Sequence, residues 1–80
     1  MSIGVELMIC GMRREDAYES WLAESPDEIT HYDVELRAIH RDSGDVEVLY
    51  EREELTADEA NRAGAMLERL FPHAAFEAIP

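Results

Sequence analysis

Cations, cysteines, long apolar runs and catalytic fingerprints are all scarce in this chain, and each scarcity removes a class of protein. Only seven basic side chains stand against 19 acidic ones, a formal charge of −12. Direct nucleic-acid binding needs the reverse balance, because cations must displace the counterions of the phosphates. The single cysteine, Cys10, excludes a disulfide framework and points to a reducing compartment. No apolar stretch approaches the about 20 residues of a membrane span. The opening Met1-Ser2-Ile3-Gly4-Val5-Glu6 lacks the basic region of a secretory signal, so the expected location is cytoplasmic.

Chemistry is equally sparse. There is no G-x-S-x-G, phosphate loop or dinucleotide fingerprint. His31, His40 and His73 lack metal-ligand spacing to one another or to Cys10, and Asp42-Ser43-Gly44-Asp45 lacks the carboxylate series of a calcium loop. Arg13-Arg14 offers cations for a phosphate at a helix N-terminus, but Glu15 and Asp16 follow at once and repel an anion. The expectation is a protein without cofactor, metal or enzymatic activity.

What is present suits one folded domain over residues 1–80. Apolar residues make up 46% of the chain, more than disordered acidic sequences contain. Alternation of Ile3, Val5, Leu7 and Ile9 predicts a first strand, ended at Gly11. Ala17, Tyr18, Trp21 and Leu22 predict a helix over 13–24, with Trp21 in the core. Alternation resumes over 32–41 and 46–51, joined by the loop Asp42-Ser43-Gly44 with a left-handed glycine. Thr56-Ala57-Asp58-Glu59 is a capping box that opens a helix closed by Pro72, with Gly64 allowing close packing on the sheet. Residues 75–79 form a last strand. This β-α-β-β-α-β order is ferredoxin-like: an antiparallel sheet with two helices on one face and the other face open.

The acid is concentrated. Eight carboxylates and no arginine lie between Glu15 and Glu35, and eight more lie between Asp42 and Glu59 with only Arg52 among them. The expected topology gathers Glu24, Asp27, Glu28 and Asp33 with Glu51, Glu53, Glu54, Asp58 and Glu59 at one pole. Arg13, Arg14, His40, Arg41, Arg69 and His73 fall toward the other. The hairpin register sets Glu35 opposite Glu51 and Asp33 opposite Glu53, pairings that local folding disfavours. Carboxylates about 6.6–6.8 Å apart along a strand imitate a phosphate backbone and suit an arginine- and lysine-lined groove. The expected partner surface is Asp27, Glu28, Asp33, Glu35, Glu51, Glu53, Glu54 and Asp58.

In size and charge, carried by the runs 15–35 and 42–59, the chain resembles small phage-encoded anti-CRISPR proteins that act on type I surveillance complexes. That resemblance implies an inhibitor that works in the host-cell cytoplasm, occupies the basic channel or PAM-reading surface and excludes target duplex. The rival reading is an acidic assembly or regulatory module, dimeric through Met8, Ile39 and Leu49 on the open sheet face.

Overall fold

The computed structural model describes residues 3–80. Its strands are β1 (Ile3–Arg14), β2 (Ser20–Leu22), β3 (His31–His40), β4 (Asp45–Leu55) and β5 (Ala75–Ile79), and its α-helix is α1 (Ala57–Leu70). β1 and β3 are central. β4 lies outside β3, while β5 and β2 share the other edge of β1, β5 running parallel to it along Glu6–Cys10 and β2 antiparallel along Met12–Arg14. α1 carries the chain from β4 across two strands to β5.

This is α+β but not ferredoxin-like, because the first expected helix does not form. β1 runs through Gly11 to Arg14, turns, and returns as the short β2. The physical reason is local. Asp16 has no helix to cap; its carboxylate accepts from the backbone N–H groups of Tyr18 (2.7 Å) and Glu19 (2.9 Å), an Asx-type turn that competes with helix formation. Without a helix, Tyr18 is 97% and Trp21 54% exposed, so Trp21 is not core. Gly11 continues the strand instead of ending it, and glycine suits the position because Ile29 Cδ1 lies 2.5 Å from where a β-carbon would be.

The second helix forms as its sequence directs. Thr56 and Glu59 make the reciprocal capping box, and Ala60, Ala63, Gly64 and Leu67 bury one stripe on the sheet. Gly64 allows the approach: a β-carbon there would lie 3.0 Å from Ile9 Cδ1. The core combines that stripe with Leu7, Val34, Leu36 and Leu55, edged by Val5, Ile9 and Tyr50. α1 lies over β3 and β1, so Phe76 on β5 remains 52% exposed although it pairs with Leu7. Among the described residues no helix is long and apolar enough to cross a membrane.

The β3–β4 hairpin departs from its expected register near the turn. His40 pairs with Asp45 around a four-residue turn, in which the His40 carbonyl accepts from Gly44 N–H at 2.7 Å and Gly44 has φ 78°. The extra residue is absorbed at Leu49, where the pairing shifts, so Leu36 still faces Tyr50 and Glu35 still faces Glu51. One consequence is a change of face: Val46 and Val48, rather than Glu47 and Leu49, join the open side.

Candidate acidic interface

The side chains on the open face follow from strand alternation. Reading across the sheet, one row is Glu77–Met8–Glu35–Glu51 and the row before it is Ala75–Glu6–Arg37–Val48. The row after is Ile79–Cys10–Asp33, meeting β4 at a second irregularity. Strands are about 4.7–4.9 Å apart and same-face residues about 6.6–6.8 Å apart along each strand. Glu6, Asp33, Glu35, Glu51, Glu53 and Glu77 therefore lie on one lattice around Arg37.

Arg37 holds this lattice together. Its Nη2 donates to Glu6 Oε1 at 2.9 Å, and its Nε lies 3.6 Å from Glu35 Oε1. The three side chains are only 27%, 30% and 26% exposed, so the pair interactions are partly shielded from water. Among the described residues no arginine pairs with Glu51 or Glu53 in the outer row. Glu51 faces Glu35 directly, and a hydrogen bond and charge repulsion from Glu51 push the Glu53 carboxyl above the ordinary glutamate range. Beneath, Met8 is buried and Cys10 half-buried; burial first, then Glu35 and Asp33, raises the thiol pKa.

The expected opposition of Asp33 and Glu53 is replaced by a bulge. Asp33 Oδ1 accepts from Glu54 N–H at 3.1 Å, and Glu54 sits at φ 57°, a left-handed conformation costly for a side chain other than glycine. Its carboxylate receives Arg14 Nη2 at 2.6 Å, which holds its pKa below the ordinary glutamate range. Glu53 is left on the open face.

The eight expected residues thus divide. Asp33, Glu35, Glu51 and Glu53 share the open face, and Glu54 reaches from its rim. Asp27 and Glu28 lie in a 3-10 turn on the helix side, where Glu28 accepts from Glu24 N–H at 3.1 Å and faces Arg13 at 3.8 Å. Asp58 is in the first turn of α1, also behind the sheet. Glu35 and Glu51 share the row of Met8 at the middle of β1, and the others lie toward the end where β1 finishes. Arg13 and Arg14 are there too, pairing with Glu15 and Glu54 instead of lying at the opposite pole, because β1 runs on past Gly11. Glu6 and Glu77 belong to the lattice as alternation along β1 and β5 implies, while the bridging role of Arg37 required the strand register.

Among the described residues no group of three or more histidines, cysteines or carboxylates is placed to hold a metal. Compared with protein-family models, curated proteins and solved structures, the chain matches none.

Proposed function

We propose that this protein is a non-enzymatic inhibitor that occupies a cationic, nucleic-acid-binding groove of a protein complex with the acidic half of its open sheet. The observation that carries this reading is the direct opposition of Glu35 and Glu51 beside the Glu51–Glu53 contact. Like charges opposed across strands are destabilising, and a fold selected for stability alone gains nothing from them. A row of guanidinium or ammonium groups from a partner relieves all of them at once. The strained Glu54 bulge supports the same reading, since backbone strain concentrates at functional surfaces. The spacing along the strands suits a surface built for successive phosphates.

The resemblance to type I anti-CRISPR proteins supplies the class of target: a surveillance complex whose duplex-binding channel is blocked. The test is fluorescence anisotropy of labelled target duplex with a purified type I complex. The chain should compete for binding, less effectively as salt rises. The triple variant E35Q/E51Q/E53Q should lose that competition while keeping the fold. Undiminished competition by the triple variant, or none by the parent chain at low salt, refutes the mechanism.

The open-face dimer is the alternative, and the shift at Leu49 changes its test. Val46 and Val48, 52% and 50% exposed, now carry the apolar corner with Ile39. Light scattering should show Val48→Asp dissociating a sheet-mediated dimer and leaving duplex competition by a monomer intact.

A further inference from the structure

β4 is the outermost strand on its side of the sheet: it pairs with β3 and, among the described residues, with no strand beyond. Alternate backbone N–H and C=O groups of an edge strand point away from the sheet, so an extended segment laid alongside can add to it. Proteins blunt such edges with short length, bulges, charge or a covering element. This edge is long, and no helix or loop pairs with it. The pairing shift at Leu49 interrupts it near the middle, and the bulge at Glu54 interrupts it at one end. Residues 46–48 and 50–53 remain extended, and all but Tyr50 are exposed. The main remaining deterrent is negative charge, which turns away only partners of the same sign.

The two sides of β4 offer different surfaces. On the open face the exposed Val46 and Val48 precede Glu51 and Glu53. On the helix side lies a cleft of about 330 Å³, lined by Arg52, Glu59, Arg62, Ala63 and Met66. It exists because α1 packs mainly over β3 and β1 and leaves β4 largely uncovered. Its one carboxylate, Glu59, is engaged by the capping box, accepting from Thr56 N–H at 3.0 Å. Ala63 and the exposed Met66 give the cleft apolar surface next to the edge.

We propose that the β4 edge receives an extended, cationic segment of the partner protein as an additional antiparallel strand. The proposal deepens the reading of the acidic face as a partner surface and rests on it. Side chains of the added strand alternate between the two sides of the sheet. On the open face it carries lysine or arginine opposite Glu53 and Glu51, then apolar residues opposite Val48 and Val46. On the other face it carries apolar residues beside the cleft and Met66. Backbone pairing supplies affinity and the alternating side chains supply selectivity, with the antiparallel direction the more stable per residue. Cations at those two positions also relieve the contact between Glu51 and Glu53. A second copy of the chain does not suit the edge, because it brings a further net charge of −12 to it.

The test is titration of the full, isotope-labelled chain with the peptide KLKLVKV, blocked at both ends and followed by backbone NMR shifts. One face of that peptide reads Lys, Lys, Val, Val. At low salt it should bind saturably with Kd below about 300 µM, moving the amides of residues 46–53. The peptide KKKLLVV has the same composition and charge without the alternation, and should bind at least about tenfold more weakly. Methylating one alternate set of the peptide's backbone nitrogens should abolish binding, while methylating the other set should leave Kd within about threefold. E51Q/E53Q should weaken binding at least about fivefold, and the methylated peptides serve if that variant fails to fold. Equal binding by both methylated peptides or by KKKLLVV, shifts confined to other strands, no binding, or a parent chain already dimeric through these amides each overturn strand addition. Where duplex competition persists in those cases, the acidic-face reading stands; where it is absent too, both fall.

Discussion

Replacing Arg37 with methionine tests whether the acidic lattice is tolerated because of one guanidinium. The substitution keeps much of the aliphatic stem and removes the guanidinium that pairs with Glu6 and Glu35. Exposed ion pairs contribute about 0–1 kcal/mol, and breaking buried ones costs about 3–5 kcal/mol. With side chains 27%, 30% and 26% exposed, the Arg37–Glu6–Glu35 group lies between those limits. The expected loss is about 1–3 kcal/mol at neutral pH and low salt. For a domain of this size that lowers the melting temperature by about 5–20 °C. Circular dichroism melts at low salt and at about 1 M NaCl, where the screening length falls to about 3 Å, separate repulsion from lost packing. The deficit should shrink at high salt, and Arg37→Lys should recover part of it. A variant that melts within about 2 °C of the parent at low salt refutes the bridging role.

Three further outcomes follow from the same geometry. Glu53 has a raised folded-state pKa, so the native state takes up its proton more readily than the unfolded chain, and this group adds stability as pH falls from neutral into the glutamate range. Glu54 has a lowered one, so its contribution is present above the ordinary glutamate value and disappears as pH falls through its depressed value. Urea midpoints across pH should therefore lose the mildly acidic gain in Glu53→Gln and part of the low-pH loss in Glu54→Gln; identical profiles for parent and variants contradict the assignment. Cys10, its thiol pKa raised by burial and then by Glu35 and Asp33, should react with iodoacetamide more slowly than in the urea-unfolded chain and faster in Glu35→Gln. Thr56→Ala removes the acceptor for Glu59 N–H (3.2 Å) and should cost about 1 kcal/mol in denaturant unfolding, with Thr56→Ser restoring most of it.

Short-range chemistry alone determined much of this protein. The capping box, the buried stripe of α1, the core-facing alternation of β1 and β3, the left-handed Gly44 and the Glu35–Glu51 opposition each depend on neighbours in sequence or on one hairpin. Tertiary structure decided the rest. The passage of β1 through Gly11 involves Ile29, 18 residues further on, which fills the space beside that glycine. Which residues of β4 face outward turned on where the hairpin absorbed one extra residue, because strand alternation reverses with each single-residue shift. The place of Glu77 in the lattice depended on β5 lying beside Glu6–Cys10, a register between strands nearly the whole chain apart. Composition supplied the negative charge; pairing of distant strands chose the face that carries it, since contacts so remote leave no periodicity for a local pattern to record.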